Sequence, residues 1–348
     1  MQLARIADII SPSQVVGDTQ VEIGDLAYDT HAIGEGALFF CIRGTRFDGH
    51  DLAESAIEKG AAALVVDRPV ASRVPQLVVA DTRAAMAPTA AEFFGRPTAE
   101  LEVAGVTGTN GKTTTTFLLH SILEAAGRKP GLIGTIESRV GGERRPAVRT
   151  TPEAIDLQRS FREMLDAGDR SCAMEATSHG SAFGRLDGIR FASLAFTNLT
   201  QDHLDLHGTM DAYFEAKRRL FIEGRPPAAI NVGDPWGRRL AKELQDGLTY
   251  GFADDAALGP DALDGIDFKL KGRFNVENAL AAMASAQLLG VEEDAIVRGL
   301  EAIAGVPGRF ETVDEGQPFT VVVDYAHTPD SLENVLATAR DLDSGRVI

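Results

Sequence analysis

The sequence predicts an α/β fold, and three observations indicate it. Short apolar runs alternate with segments of helical periodicity along most of the chain, which is typical of strands connected by helices. The apolar runs between residues 99 and 316 show little polar alternation, as expected for parallel strands that are covered on both faces. A glycine-rich segment at 105–114 lies between one such run and a helical segment.

The chain length of 348 residues indicates two or three domains. We place the first, an α/β domain, at residues 1–98, because Gly95 and Pro97 interrupt its last helix. Its apolar runs and helical periodicity predict strands at 36–42, 62–67 and 77–79, a polar loop at 43–51, and helices at 53–59 and from residue 82 onward.

The second domain is placed at 99–316, with strands at 101–106, 171–174, 191–196 and 228–232 in a mostly parallel sheet. Ligands of such sheets gather outside the carboxyl ends of the strands. The polar segments that follow the strands are therefore candidate ligand contacts: Lys112 with Thr113, then 175–179, 198–207 and 231–234.

The segment 105–114 has the composition of a loop that wraps the phosphates of a nucleotide. Gly108 and Gly111 allow backbone N–H groups to point inward, Lys112 supplies a cation, and Thr113 offers a hydroxyl to Mg²⁺. The usual G-x-x-x-x-G-K-[ST] spacing requires glycine at position 106, where this chain has Val106. The predicted helix 113–126 follows, so bound phosphate would lie at a helix N-terminus.

Acidic and imidazole side chains follow the next two strands. Glu175 ends an apolar strand, from which its carboxylate can reach the Mg²⁺ of a nucleotide held by the neighbouring loop. His203 and His207 have the spacing of a helical zinc pair, but the expected glutamate is absent and Gly208 follows directly. We therefore expect His203 to reach the magnesium site or to cap the loop.

Lys217 is predicted to lie on the apolar face of the helix 210–221. Tyr213, Phe214, Leu220 and Phe221 stand three or four residues away from it. The ordinary interpretation is a lysine whose ammonium group reaches solvent. Burial would instead lower its pKa and leave a neutral amine, which can take up CO₂ to form an anionic carbamate.

Composition narrows the classes of partner. A net charge of −17 and a pI near 4.8 argue against nucleic acid and anionic membranes, and no apolar run is long enough for membrane insertion. Cys41 and Cys172 lie far apart in apolar runs, which favours buried thiols and a cytoplasmic location.

In the last segment, 317–348, the pattern predicts a strand near 319–323 and a helix at 331–342. Residues 346–348 are expected to begin a further strand. So short a segment cannot bury enough surface to form an α/β domain. We therefore expect that it is the truncated start of a third domain.

The chain carries an ordered set of motifs that resembles the Mur ligase family. The resemblance is strongest to the MurE type, the UDP-N-acetylmuramoyl-dipeptide:amino-acid ligases. The motifs are Thr-Gly-Thr-Asn-Gly-Lys-Thr-Thr at 107–114, Thr-Thr-Pro at 150–152, Met-Glu-Ala-Thr-Ser-His at 174–179, the segment 198–208, Ala216-Lys217, Gly-Arg-Phe-Asn-Val-Glu-Asn at 272–278, Pro-Gly-Arg-Phe-Glu at 307–311 and Asp-Tyr-Ala-His-Thr-Pro-Asp at 324–330.

The resemblance implies a cytoplasmic enzyme of peptidoglycan synthesis, hence of cell-wall biogenesis, cell shape and cell division. Such an enzyme uses ATP and Mg²⁺ to phosphorylate the D-glutamate carboxylate of UDP-MurNAc-L-Ala-D-Glu. The amine of a free amino acid, meso-diaminopimelate or L-lysine, then displaces the phosphate. The resemblance also implies an N-terminal UDP-binding domain, a central P-loop domain and a Rossmann-like C-terminal domain that binds the amino acid.

The resemblance assigns residues to each role. It implies catalytic roles for Lys112, Lys217, Glu175 and His203, and a metal set of Thr113, Glu175, His203 and carbamoylated Lys217. The implied ATP contacts are Gly108, Thr109, Asn110, Gly111, Lys112, Thr113, Thr114, Asn278, Arg309 and Asp324. The implied substrate contacts are Tyr28, Thr30, Thr45, Arg46, Phe47, Thr150, Thr151, Thr177 and Arg185.

Some positions depart from the family pattern. The family pattern has a glutamine two residues before Arg185, where this chain has Phe183. The Asp-Asn-Pro-Arg motif, which recognises the incoming amino acid, is not in the sequence. The choice between diaminopimelate and lysine is therefore open, and we expect residues 1–348 alone not to complete turnover. Two alternatives are another Mur-type ligase (MurF, cyanophycin or folylpolyglutamate type) and a P-loop nucleotide-binding protein without catalysis.

Overall fold

The computed structural model describes residues 1–44, 47–342 and 345–348, and the chain divides into two compact units. The first consists of Met1–Pro97, Pro152–Arg162 and Ala182–Ile189, and the second of Thr98–Thr151, Glu163–Ser181 and Arg190–Ile348. The first boundary lies one residue from the one expected at 98. The division into three domains stays a prediction.

The first unit is built on a five-stranded sheet in the order β1-β5-β4-β3-β2, in which only β1 runs antiparallel to its neighbour. Its elements are α1 (Leu3–Ile10), β1 (Gln14–Val16), β2 (Asp25–Ala27), β3 (Ala37–Phe40), α2 (Ala53–Glu58), β4 (Ala61–Val66), β5 (Gln76–Val78) and α3 (Thr82–Phe93). The predicted strands β3, β4 and β5 are confirmed. Strands β1 and β2 were not predicted, because β1 is mostly exposed and β2 begins with the charged Asp25, so neither forms the continuous apolar run that marks the equally short β5.

The second unit is built on an eight-stranded sheet in the order β13-β12-β11-β6-β10-β7-β8-β9, which is parallel from β13 to β7 and antiparallel at β8 and β9. Its strands are β6 (Glu102–Thr107), β7 (Pro130–Ile133), β8 (Glu137–Val140), β9 (Glu143–Pro146), β10 (Ser171–Glu175), β11 (Phe191–Phe196), β12 (Ala228–Asn231) and β13 (Leu248–Tyr250). The mostly parallel sheet is confirmed. Strands β7 and β13 and the hairpin β8–β9 were not predicted. Strands β7 and β13 have only four and three residues, and β9 is polar and fully exposed.

The helices between residues 112 and 302 are α4 (Lys112–Ala125), α5 (Ala154–Ala167), α6 (Ser178–Ala182), α7 (Leu204–His207), α8 (Met210–Ile222), α9 (Pro235–Glu243), α10 (Arg273–Leu288) and α11 (Glu293–Ala302). Helices α4, α9 and α10 pack on the sheet, α11 packs on α4, and most of α5 belongs to the first unit. Helix α4 is buried on most sides, and its Leu118, Ile122 and Leu123 join the same apolar core as the alanines of α10. Because α4 begins at the glycine loop, this core fixes the loop's position.

The last segment contains an antiparallel strand pair, β14 (Glu311–Val313) with β15 (Val321–Val323), followed by α12 (Pro329–Leu342). The predicted strand and helix are confirmed, whereas residues 345–348 form no strand. Cys41 and Cys172 are buried free thiols, as expected. Across the described residues, no helix combines the length and apolar character that a bilayer crossing requires.

The close approach of α11 to α4 yields a stability prediction. A Cβ added at Gly299 would lie 2.4 Å from the Ile122 Cα atom, and the Gly299 carbonyl accepts a 2.8 Å hydrogen bond from Ser121 Oγ. Because the obstructing atom belongs to the backbone of α4, Gly299→Ala must separate the helices. We expect a loss of about 1–3 kcal/mol in the free energy of unfolding, measured by urea denaturation.

Gly305→Ala is the matched control, because no atom lies within 4 Å of a Cβ built there. We expect this variant to unfold like the unsubstituted chain. Equal stability of the Gly299 variant would contradict the close helix contact.

Candidate functional site

The glycine loop that follows β6 has a conformation that side chains at two positions would prevent. Gly108 (φ 151°) and Gly111 (φ 86°) both have positive φ. A Cβ at Gly108 would lie 1.9 Å from Thr197 Oγ1, and one at Gly111 would lie 2.2 Å from Asn278 Oδ1. Helix α4 begins at Lys112, so its unpaired N–H groups and the positive end of its dipole lie at the loop. The geometry suits an anionic group.

The segment after β11 holds the loop in place. The Thr109 N–H donates to the Asn198 carbonyl (2.9 Å), and the Asn110 N–H donates to Asn198 Oδ1 (2.9 Å). Thr197 Oγ1 in turn donates to the Asn110 carbonyl at 2.7 Å. The loop is therefore fixed by the neighbouring strand and does not depend on a ligand for these contacts.

Lys112 lies folded over the loop that precedes it. Its Nζ donates to the carbonyl oxygens of Gly108 (3.1 Å) and Thr109 (2.7 Å). Burial lowers its pKa, and the negative charge of Glu175 opposes that shift. The Lys112 Nζ atom thus lies against the backbone of the loop.

Lys217 of α8 is 1% exposed, which confirms its predicted position on the apolar face and excludes the solvent-reaching alternative. Its Nζ donates to the Gly108 carbonyl at 2.8 Å and lies 4.7 Å from the centre of the Tyr213 ring. Burial, reinforced by the positive charge of Lys112, holds its pKa well below the usual lysine value. The neutral amine is therefore present at lower pH than in an exposed lysine.

Glu175, at the end of β10, is 1% exposed and accepts hydrogen bonds from the Thr135 N–H (2.7 Å) and Thr135 Oγ1 (3.1 Å). Three predicted substrate contacts surround it. Thr150 Oγ1 lies 3.0 Å from Thr135 Oγ1, and Thr151 Oγ1 donates to the Glu175 carbonyl at 2.8 Å. Thr177 Oγ1 donates to Thr151 Oγ1 at 3.0 Å. The second unit thus brings Thr150, Thr151, Thr177 and Glu175 together.

His203 lies in a group of three histidines. Its ring centre is 4.6 Å from that of His179, which is 6.0 Å from that of His207. Burial and the positive charges of Lys112 and Lys217 lower the pKa of His203, against the effect of Asp202. Within the described ranges, no three His, Cys, Asp or Glu residues are grouped so that they alone could hold a metal ion.

The remaining predicted ATP contacts come from α10 and the last segment. Asn278 is buried and faces Gly111, and Arg309 Nη2 donates to Thr113 Oγ1 at 3.0 Å. Asp324 Oδ2 accepts from the Phe310 N–H at 2.7 Å. Thr113 and Thr114 are both buried in the first turn of α4. The structure therefore joins Asn278, Arg309 and Thr113 around the loop, while Asp324 lies next to Phe310.

Several of the predicted substrate residues belong to the first unit. Tyr28 OH donates to Asp156 Oδ2 at 2.6 Å, and the carbonyl of the buried Thr30 accepts from Lys59 Nζ at 3.0 Å. The Phe47 side chain is 74% exposed, as suits a ring available to a ligand. Arg185 forms an ion pair with Glu153 at 3.1 Å. Thr45 and Arg46 lie outside the described residues.

The sequence analysis missed three contacts of the site. Thr135 binds Glu175, Thr197 binds the loop, and Asp330 Oδ2 accepts from Asn110 Nδ2 at 2.9 Å. The run Gly-Leu-Ile before Gly134 signals the strand that places Thr135. No local signal predicts the bond between Asn110 and Asp330, because 220 residues separate them.

Three family models match this chain: the Mur ligase catalytic domain at residues 22–94, the Mur ligase middle domain at 106–286, and the Mur ligase glutamate ligase domain at 308–348.

Among curated relatives, the UDP-N-acetylmuramoyl-L-alanyl-D-glutamate–2,6-diaminopimelate ligase of Geobacter metallireducens is 43% identical over all of this chain and 74% of its own length. The protein of the same name from Geobacillus kaustophilus is 45% identical over 92% of this chain and 71% of its own length.

A solved structure of a UDP-N-acetylmuramoyl-L-alanyl-D-glutamate–2,6-diaminopimelate ligase superposes with a TM-score of 0.80 at 27% identity, covering 98% of this chain and 74% of that one. MurF from Acinetobacter baumannii, at 24% identity and a TM-score of 0.72 over 97% of this chain and 76% of its own, shares the fold. From the family models and the curated relatives together, the chain belongs to the Mur ligase family.

Proposed function

We propose that this protein is the ATP-dependent ligase that joins diaminopimelate to UDP-MurNAc-L-Ala-D-Glu in peptidoglycan synthesis. The observation that carries the proposal is the buried Lys217, whose Nζ is hydrogen-bonded to the Gly108 carbonyl in the nucleotide loop. A plain nucleotide-binding loop has no need of a second buried amine. The diaminopimelate ligases at 43–45% identity support the choice of amino acid.

ATP is proposed to bind with its phosphates in the loop 108–114. Phosphoryl transfer depends mainly on positioning and on electrostatic stabilisation of the transferred group. Positive charge comes from Lys112, whose Nζ bonds the loop carbonyls, and from Arg309, which bonds Thr113. The N-terminus of α4 adds its dipole. Asn278 and Asp324 are proposed to contact the remainder of the nucleotide.

Mg²⁺ is proposed to accompany ATP. Mg²⁺ prefers oxygen ligands and is usually held by one or two carboxylates together with substrate phosphates. The buried carboxylate of Glu175 and the hydroxyl of Thr113 fit that chemistry, and His203 is proposed to complete the set. The absence of a preformed cage among the described residues agrees with an ion whose remaining ligands come from ATP. When bound, the ion neutralises phosphate charge.

Lys217 is proposed to act as a carbamate. The neutral amine attacks the carbon of CO₂: an N–C bond forms, one C–O π bond opens, and one proton leaves the nitrogen, so that a neutral group becomes an anion. One N–H remains on the nitrogen and can keep the hydrogen bond to the Gly108 carbonyl. The carbamate would add an anionic oxygen ligand beside the nucleotide.

We propose that Tyr28, Thr30, Phe47 and Arg185 contact the sugar nucleotide. Thr150, Thr151 and Thr177 are proposed to contact it as well. The hydroxyl groups next to Glu175 would orient the D-glutamate carboxylate for phosphorylation. The free amino acid then attacks the acyl phosphate.

The proposal predicts phosphate release that requires three substrates at once. With the protein translated from the complete reading frame, we expect release only when ATP, UDP-MurNAc-L-Ala-D-Glu and diaminopimelate are all present. EDTA should stop release and added Mg²⁺ should restore it, because the phosphates need their counterion. Equal release with the D-alanyl-D-alanine acceptor and the tripeptide nucleotide would instead indicate a MurF-type ligase.

Lys217→Met is expected to lower the rate of phosphate release by about a hundredfold or more, the scale for loss of one charge-stabilising group. Its apolar side chain suits the buried position. Lys242→Ala, on the exposed side of α9, is the matched control and should retain full activity. A ¹³C-bicarbonate NMR signal present in the unsubstituted protein and absent from the Lys217 variant would identify the carbamate.

The pKa of Lys217 adds a pH test. Its lowered pKa keeps the amine neutral at lower pH than in an exposed lysine, and protonation at still lower pH removes the form that reacts with CO₂. The carbamate signal should therefore decrease as the pH falls. Full activity of the Lys217 variant would favour a P-loop protein in which this lysine has no catalytic role.

A further inference from the structure

A short loop, residues 43–48, follows β3 in the first unit and contains Phe47, one of the proposed substrate contacts. At its base the Gly49 N–H donates to the Ile42 carbonyl at 2.8 Å, and further out the Gly44 N–H donates to the Phe47 carbonyl at 2.9 Å. A Cβ built at Gly49 would lie 2.6 Å from the Ile42 nitrogen. A side chain at position 49 would therefore push the two sides of the loop apart.

Arginines connect both ends of the loop to Asp67, the residue that follows β4. At the start of the loop, Arg43 Nε lies 2.7 Å from Asp67 Oδ2, and Arg43 Nη2 donates to Asp67 Oδ1 at 3.1 Å. At its end, Arg68 donates to Asp48 Oδ2 (2.8 Å) and to Asp67 Oδ1 (3.1 Å). The two arginine side chains are 62% and 44% exposed, so water and salt weaken these ion pairs.

His50 connects the end of the loop to the same aspartate from inside the protein. Its side chain is 1% exposed. Nδ1 lies 2.6 Å from Asp48 Oδ1, and Nε2 lies 3.0 Å from the Asp67 backbone nitrogen. The backbone N–H of His50 also donates to Asp48 Oδ1 at 3.0 Å. Because the ring is buried, solvent screens its contacts less than those of the arginines.

The imidazole has a partner on each nitrogen in both of its protonation states. Arg68 and then the His50 N–H hold the pKa of Asp48 well below the usual aspartate value, so its carboxylate can only accept. Nδ1 therefore donates to Asp48. Nε2 accepts from the Asp67 N–H when it is unprotonated, and it can donate to Asp67 Oδ1, 3.2 Å away, when it is protonated. The connection between Asp48 and Asp67 thus does not depend on the charge of His50.

We propose that His50 is a positioning residue for the sugar nucleotide: it holds the loop 43–48 in the conformation in which Phe47 meets the UDP end of the substrate. The inference rests on the proposed function, since Phe47 is a proposed contact of that substrate. Phe47 is 74% exposed, so the backbone of the loop decides where its ring lies. His50 is buried and acts through that backbone.

The test measures equilibrium binding of UDP and of UDP-MurNAc-L-Ala-D-Glu by calorimetry. His50→Leu removes both ring contacts and fills the buried site with an apolar side chain. We expect both ligands to bind about tenfold more weakly, the scale of one charge-assisted hydrogen bond. His50→Asn and His50→Gln each retain a polar group near one ring nitrogen and should lose less. Weaker binding of the dipeptide nucleotide alone would contradict a contact at the UDP end.

A double-mutant cycle distinguishes positioning from a merely structural role. Phe47→Ala should also weaken UDP binding, because it removes the contact that His50 positions. When Phe47→Ala is combined with His50→Leu, the loss should be clearly smaller than the product of the two single losses. Losses that multiply, or a Phe47 variant that binds UDP normally, would overturn the inference.

Gln76→Met is the matched control for stability. Gln76 is likewise a buried polar residue of the first unit, and its amide bonds the Val70 N–H (2.9 Å) and the Val70 carbonyl (2.8 Å). It holds a different loop. We expect Gln76→Met to lower the melting temperature, as His50→Leu does, and to bind both nucleotides like the unsubstituted protein.

Unchanged UDP binding by folded His50→Leu, or equal weakening in Gln76→Met, would overturn the inference alone. If His50→Leu does not fold, the Asn and Gln variants decide by the same measurement. Failure of the unsubstituted protein to bind either nucleotide would overturn the proposed substrate as well, so the two failures are distinguishable.

Discussion

The arrangement of the second unit depends on the hydrogen bond from Lys217 Nζ to the Gly108 carbonyl. A lysine that is 1% exposed lies in an unfavourable environment, and the charge of Lys112 adds repulsion. The helix α8 can bury this amine only because the glycine loop presents a carbonyl oxygen to it. This hydrogen bond also joins the loop to a helix that lies more than a hundred residues further along the chain.

Further contacts hold the loop in its conformation, and all of them come from the protein itself. Thr197 and Asn198 hold the loop from β11, and the backbone at Gly108 and Gly111 leaves no room for a Cβ. Positive groups are thereby concentrated at the loop in a strongly acidic protein. Such preorganised charge is how a phosphoryl-transfer site stabilises its reacting groups without rearrangement.

Much of the fold could be predicted, because long apolar strands and amphipathic helices carry their periodicity locally. The strands at 101–106 and 191–196 and the helix that carries Lys217 were predicted within a residue or two. The strands β1, β2, β7, β8, β9, β13 and β14 were not, since they have three or four residues each and their pairing depends on neighbours elsewhere in the chain.

By itself, the sequence determined the type of site: a glycine loop, a lysine on an apolar helix face and a carboxylate at a strand end have local signatures. Only the tertiary structure decided which groups meet. The contacts of Thr135 with Glu175, of Asn110 with Asp330 and of Glu153 with Arg83 and Arg185 join segments far apart in the chain. Such contacts arise from the order of strands in a sheet and the packing of helices upon it, which no local pattern records.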